Sequence, residues 1–418
     1  MNASPDSRLH NRPGDHSPTA ASRAPGRPSL RALPRQTTAL RRRLAELRGP
    51  DSAPRPWDAR ALAALAANPG CRRRALLDGA GVDKSALAEA LGSPATFGQS
   101  QFAFVRGNSF EARLSADEGS ELIRLLLEHL APGTAAEHVE FDVPDLSASG
   151  CEGRADRTRA ALASAVAAGG WSLLFHPMVE LGVAGSPAHL EPDAVVVQPD
   201  GGLTVVEIKS FPVLDGAADA AKVGAAARQS AVYVLALEGL AAEIPEARVR
   251  HTTLLVCPKD FSNLPTAAPL DVRKQLAVTR RQLERLTHLE EITAALPEGT
   301  TFALRLAEDG RTAPRPVGEL TEAVEAVEAA YVPDCLASCE LAFHCRLRAR
   351  EAGSVRVLGR GVRSELGGLR TVGEVLAAAH GLAGDPEDPA VAALRRAAAL
   401  RAEALAAAGA AGGAAACG

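Results

Sequence analysis

Lysine is the scarce charge in this 418-residue chain: Lys84, Lys209, Lys222, Lys259 and Lys274 are its only five, and Arg supplies the rest of the 46 basic residues. Where a generic positive charge suffices, the sequence uses Arg, so each Lys calls for a reason in its own chemistry. An excess of positive charge is missing too. The formal balance of −4 gives no broad attraction to nucleic acid, so such a contact would need a local groove or bound metal ions. Long apolar runs are also absent. The N-terminus is polar and Pro-rich, without the apolar core of a signal peptide. Near the C-terminus the Ala/Gly run is interrupted by Arg401 and Glu403, and Ala is too weakly apolar to make a spanning helix. These absences lead us to expect a cytoplasmic protein with no membrane partner and with reduced cysteines. There is no internal repeat, which argues against a solenoid.

What is present suits a globular core, with 46% hydrophobic residues. Residues 1–50 stand apart: ten Arg against Asp6, Asp15 and Glu46, about +7 locally, with no hydrophobic period. They read as a disordered Arg/Pro-rich tail, with a nucleic-acid-binding arm as the alternative. Residues 51–350 read as the main domain, 351–403 as a small helical region and 404–418 as a disordered Ala/Gly tail. Within the main domain, residues 56–68, 84–91, 109–130, 219–240, 271–296 and 317–330 carry helical patterns. Residues 171–181, 193–197, 203–208 and 250–257 read as strands. Between the second and third of these, Gln198-Pro199-Asp200-Gly201-Gly202 is a hairpin turn signal. The order predicts a mixed α/β core with helical additions.

Chemistry concentrates in EPDAVVVQPDGGLTVVEIKS, residues 191–210. On a strand, residues two apart share a face, so Glu207 and Lys209 project together while Ile208 faces the core. Asp193 opens the preceding strand and can bring its carboxylate to Glu207. Two convergent carboxylates suit Mg²⁺ or Mn²⁺, hard ions that take oxygen ligands and keep waters for a substrate phosphate. Such an ion lowers the pKa of its water and neutralises phosphoryl charge, which is what phosphodiester hydrolysis needs. A nearby amine can orient that water. That one of only five Lys stands beside Glu207 agrees with this role. Taken alone, the same residues also fit a surface hairpin with a weak Glu–Lys pair.

The arrangement resembles the PD-(D/E)XK superfamily, most closely its RecB-like branch. Pro192-Asp193 is similar to the PD element and Glu207-Ile208-Lys209 to (D/E)XK. Gln229 and Tyr233, four apart on the following helix, match that branch's QxxxY motif and share one helical face. The segment from Arg106 to Glu111 resembles its first active-site helix. The resemblance implies a restriction-endonuclease-like mixed sheet flanked by helices. In it Asp193, Glu207, the Ile208 carbonyl and Glu111 would hold the metal, Lys209 would assist catalysis, and Gln229 and Tyr233 would line the strand-binding groove. His176 and His251 read as structural residues.

Cys335, Cys339 and Cys345 form C-x3-C-x5-C, and three thiols this close in a reduced compartment point to metal ligation. Cys71, ahead of the core, is the candidate fourth ligand. This layout resembles the iron–sulfur nucleases of the RecB-like branch, including CRISPR-associated and AddB-type members. There one Cys before the core and three after it hold a [4Fe–4S] cluster. The downstream spacing departs from the usual C-x2-C-x5-C. Zinc on the four thiolates, or on three of them with His344, is the alternative. Cys151 and Cys257 read as bystanders, and Cys417 falls in the Ala/Gly tail. Residues 358–381 resemble a helix-hairpin-helix, or form a plain helical cap.

The resemblance therefore implies a metal-dependent deoxyribonuclease, acting as an exonuclease on single-stranded DNA or DNA ends in repair, recombination or defence. A helicase or other DNA-processing partner is left open. The alternative is a catalytically silent binding protein on the same fold.

Overall fold

Runs of buried β-branched and Leu residues set the central strands of the computed structural model, which describes residues 37–94, 101–133, 139–183, 186–260, 262, 264–285, 289–305 and 314–415. The strands are β1 Phe141–Asp142, β2 Trp171–Phe175, β3 Val179–Val183, β4 Ser186–Leu190, β5 Ala194–Val197, β6 Gly202–Ile208, β7 Arg248–Val249, β8 Thr252–Pro258 and β9 Pro265–Asp271. Helices α1 Thr38–Arg48, α2 Ala59–Ala67, α3 Arg72–Gly79, α4 Lys84–Ala90, α5 Gln101–Ser115 and α6 Ser120–Leu130 precede them. Helices α7 Gly150–Ala168 and α8 Ala220–Ala241 are inserted between strands. The chain then continues through α9 Arg273–Arg285, α10 Leu289–Ala294, α11 Val317–Glu325, α12 Ala342–Glu351, α13 Arg360–Glu365, α14 Val372–Ala379 and α15 Pro389–Ala415.

The main sheet runs β1-β2-β5-β6-β8-β9, with β7 also pairing β6; β3 and β4 form a separate ribbon. Its centre is the antiparallel β5–β6 hairpin, in register from Ala194↔Val206 to Val197↔Leu203. The turn forms because Gly201 takes φ +76°, while the Asp200 carboxylate accepts from the Gly202 N–H at 2.9 Å. A Cβ on Gly201 would stand 2.5 Å from the Glu246 carbonyl oxygen, so glycine is required there twice over. From β6 the chain crosses through α8 and returns as β7 and β8, both parallel to β6. The sheet is thus of mixed direction, as the sequence predicts.

Both sheet faces are covered, so β6 is buried from Gly202 to Glu207. Leu203 and Val205 on one face pack toward α8; Val206 and Ile208 on the other join Phe110, Leu114, Leu122 and Leu126 of α5 and α6. Helix α8 starts at an Asp219 cap whose side chain accepts from Ala221 and Lys222. It is apolar on nearly every side and packs against β3, β6, α2 and α9. Its many alanines permit that close approach.

Several expectations need correction. The folded region begins before residue 51. Helix α1 is capped by Thr37, buries Leu40, Leu44 and Leu47 at helical spacing, and its Leu47 carbonyl accepts from Phe302 N at 2.7 Å. At the other end, α15 runs through Ala415, across the stretch read as a tail. Residues 351–403 belong to the same compact unit as the main domain. The single strand predicted over 171–181 is two, parted at His176, whose φ of +46° turns the chain ahead of Pro177. Helix α7 was not predicted: its buried face is only Ala155, Thr158, Leu162 and Ala165, too weakly apolar to register as a period. Edge strand β9 was hidden by Pro265 and Pro269, tolerated because only one side of it is paired. Residues 1–36 lie outside the described residues, as does Cys417. Among the described residues no helix is long and apolar enough to cross a membrane.

Candidate active site and cysteine pocket

The β5–β6 register that pairs Ala194 with Val206 brings the next residues, Asp193 and Glu207, level at the sheet's end. Asp193 Oδ2 accepts the Ile208 N–H at 2.6 Å, which fixes the carboxylate beside β6. Glu207 follows on the α8 face and is completely buried. Its carboxylate oxygens accept no backbone hydrogen bond; the groups against them are Lys209 and Ser230. Lys209 Nζ makes a close ion pair with Glu207 Oε1 and lies 3.9 Å from Asp193 Oδ2. Burial raises the Glu207 pKa from the ordinary 4.5 to about 7; Lys209 opposes that shift and the Asp193 charge adds to it. For Lys209, burial disfavours the charge, but Glu207 and Asp193 outweigh it and hold the pKa up.

Helix α8 closes the site from its own side. Gln229 Nε2 donates to Tyr233 Oη at 3.0 Å, so the QxxxY pair is a hydrogen-bonded unit. Burial, followed by the Glu207 charge, pushes the Tyr233 phenol well up, so it stays a neutral O–H group. Between them Ser230 is fully buried, and its hydroxyl stands against Glu207, where it favours the ionised carboxylate. Sequence reasoning missed Ser230, although its place one residue after Gln229 on an inward-facing helix was a usable signal. It also took Cys257 for a bystander. That thiol is buried within reach of Lys209 and Glu207, and burial pushes its pKa up to about 12.

Glu111 reaches the site indirectly. Its Oε1 is 3.2 Å from His176 Nε2, while His176 Nδ1 is 3.5 Å from Glu191 Oε1. Arg154 pairs with Glu191 at 2.9 Å and donates to the His176 carbonyl at 2.9 Å. The His176 N–H in turn donates to the Asp193 carbonyl at 3.1 Å. The histidine read as structural therefore stands between two carboxylates, with its side chain 43% exposed. His251 pairs with Glu238 at 3.0 Å on the far side of α8.

The four candidate cysteines lie in one region among the helices. Cys71 caps α3, its sulfur accepting from the Arg74 N–H. Cys335 sits in the one-turn helix Pro333–Ala337, Cys339 follows it, and Cys345 is on α12. Cys71 acts electrostatically on both Cys335 and Cys345, and Cys335 acts on Cys339. Asn68 donates to Cys335 Sγ at 3.3 Å and Arg73 to Cys345 Sγ at 3.2 Å. Burial pushes the thiols of Cys335, Cys339 and Cys345 upward, Cys339 to about 12. The six cysteines among the described residues are free, and Cys151 is exposed. His344 is buried, with Nε2 4.0 Å from Glu325 Oε1.

Among the described residues, no three His, Cys, Asp or Glu side chains stand arranged to hold a metal ion. The donor sets are of two kinds. At the sheet's end the buried Glu207 carboxylate, paired with Lys209, has a second carboxylate beside it. Among the helices, Cys345 stands against the buried Arg73 and Cys339 against the buried Arg74. Compared with protein-family models, curated proteins and solved structures, the chain matches none.

Proposed function

We propose that the chain is a metal-dependent deoxyribonuclease of the PD-(D/E)XK kind, with a restriction-endonuclease-like core and a metal–thiolate staple. The observation that carries this reading is Glu207. Burying this carboxylate beside that of Asp193 is costly; Lys209 offsets part of that cost, and a divalent cation would offset more. Asp193, Glu207 and the Ile208 carbonyl would hold Mg²⁺ or Mn²⁺, with Glu111 approaching by way of His176. When bound, the ion supplies Lewis acidity and an activated water for attack on a phosphodiester.

The protein's own contribution is positional. Asp193 is held by the Ile208 N–H, which fixes its carboxylate beside β6 and within 3.9 Å of Lys209 Nζ. Glu207 must give up its proton to act as a ligand, and Lys209 makes that easier. The ammonium, freed from its ion pair once a cation takes that place, can hold the attacking water or a phosphate oxygen. Gln229 fixes the Tyr233 hydroxyl by donating to its oxygen, leaving the phenol proton to donate toward substrate. Among the helices a [4Fe–4S] cluster, with zinc as the alternative, would join Cys71 to Cys335, Cys339 and Cys345. Its role would be structural, because binding would tie together segments 264 positions apart in sequence.

The test is Mn²⁺-dependent cleavage of labelled single- and double-stranded DNA by protein purified without oxygen. Cleavage that Asp193→Ala abolishes is the expected result; cleavage that survives it removes the assignment. The Lys209–Glu207 ion pair favours one second reading, a binding-only protein in which the ammonium permanently replaces the cation. Such a protein binds DNA with no cleavage at any metal concentration.

A further inference from the structure

The whole chain has a formal charge of −4, yet residues 346–370 hold seven Arg against Glu351 and Glu365. The fold gathers part of that charge in one place. Arg346 and Arg350 stand one turn apart on α12, and both act electrostatically on the buried Tyr331. Tyr331 in turn lines a cavity of about 420 Å³ together with Arg73, Arg348 and Arg356. Five guanidinium groups therefore converge around one tyrosine. Of the carboxylates nearby, Glu325 and Glu351 both pair with Arg348, and Glu328 stands on the cavity wall. Arg73 is held by the Val327 carbonyl and the Cys345 sulfur. Arg346, Arg350 and Arg356 have no carboxylate partner among the described residues, and Arg350 and Arg356 are exposed. Elsewhere exposed arginines are matched by neighbours, as Arg124 is by Glu121, Arg159 by Asp156 and Arg273 by Asp271.

Unmatched like charges repel one another, and a polyanion relieves that repulsion. Guanidinium groups suit phosphate in particular, because their planar fork meets two of its oxygens. Arg346 and Arg350, about 6 Å apart at Cβ, match the step between neighbouring phosphates of an extended strand. The arginine-rich residues before α1 carry the same sign and are no candidate occupant. We propose that Arg346, Arg350 and Arg356 form a phosphate-binding face that holds a single DNA strand by its backbone, independent of base sequence. The proposal rests on the nuclease reading for its choice of polyanion and deepens it. Asp193 and Glu207 repel phosphate until a cation is bound, so the strand is held by charge on other elements, α12 and the turn that follows it.

The experiment measures binding of the full-length protein to a fluorescent oligothymidine by anisotropy, in EDTA so that nothing is cut, across about 50–200 mM salt. Wild type is compared with Arg346→Gln/Arg350→Gln/Arg356→Gln and with a control of equal charge loss, Arg159→Gln/Arg248→Gln/Arg273→Gln. The first variant is expected to bind at least about tenfold more weakly. Its slope of log affinity against log salt should fall by about two, from three phosphate contacts at roughly 0.7 each. The control should stay within about threefold of wild type, since it changes only the general field. Circular dichroism checks the fold; if the triple variant does not fold, Arg356→Glu carries the test, and unchanged binding there overturns the proposal. Equal losses in the control overturn it too, because net charge alone then accounts for binding. So does a wild type that binds no oligothymidine. A wild type that binds as expected but cuts nothing with Mn²⁺ overturns the nuclease reading and leaves this face standing.

Discussion

The two buried polar clusters of this protein are built with opposite signs. At the end of the β5–β6 hairpin, two carboxylates share one lysine, and Glu207 is fully buried. Among the helices, a pair of buried arginines meets thiols and the carboxylates of Asp78 and Glu340. The first cluster is built around a buried carboxylate and the second around buried guanidinium groups. They differ as much in how the chain assembles them. Asp193, Glu207 and Lys209 come from one hairpin and are positioned by its register. Cys71 and the other cysteines come from opposite ends of the core and meet only when the whole fold has closed. A local site should tolerate the loss of its function without loss of fold; an assembled one should not.

The largest expected effect tests the local half of that contrast. Asp193→Ala should lower Mn²⁺-dependent DNA cleavage by about a thousandfold or more, in line with the loss of a main electrostatic element of a hydrolytic site. Its circular dichroism and melting temperature should stay near those of wild type. Next comes the assembled half. Cys339→Ser should strip metal and colour from the cysteine cluster and sharply reduce soluble yield. A soluble, stable and fully metallated Cys339→Ser protein would show that Cys339 is no ligand.

The third prediction uses pH. Glu207 holds its proton up to about 7 in the folded state, against 4.5 ordinarily. The metal-free fold therefore has this group's full stability below pH 4.5 and loses it as pH rises through 7. The loss amounts to roughly 3–4 kcal/mol, the shift multiplied by about 1.4 kcal/mol per unit. Glu207→Gln carries no charge to bury, so without metal it should match wild type near pH 4 and exceed its stability at pH 8. Denaturant melts at both values check this. Divalent binding should run the other way in wild type, strengthening about tenfold per pH unit below 7, because the ligand is the ionised carboxylate.

Much of the site could be read from the sequence because its elements are local. The turn at Pro199-Asp200-Gly201, the period of two on β6 and the spacing of four on α8 each follow from backbone geometry, and each is present. Residues whose roles depend on distant packing were not legible. His176 is joined to Glu111 from α5 and Glu191 from the loop before β5, contacts that no spacing encodes. The partners of Arg73 lie more than 250 positions away, so the sequence showed the cysteines but not the charge beside them. Helix α1 was obscured by its arginines, Arg41, Arg42 and Arg43, which outweigh a three-leucine face in composition.

The smallest expected effect separates the two roles open to α8. Tyr233 accepts a hydrogen bond from Gln229 and keeps its own proton, because burial and the Glu207 charge disfavour the phenolate. Tyr233→Phe removes both the acceptor for Gln229 and the donor toward the site, at almost constant volume. A neutral hydrogen bond of this kind contributes about 1 kcal/mol, so the expected cost is roughly tenfold or less. If the hydroxyl donates to the reacting phosphate, that cost falls on kcat. If it only holds the DNA strand, KM rises and kcat stays. Gln229→Ala should give a weaker version of the same split, since it releases the hydroxyl from its partner without removing it. A loss of melting temperature equal to the loss of activity in both variants would make the pair a packing element of α8, and the site would then end at Lys209.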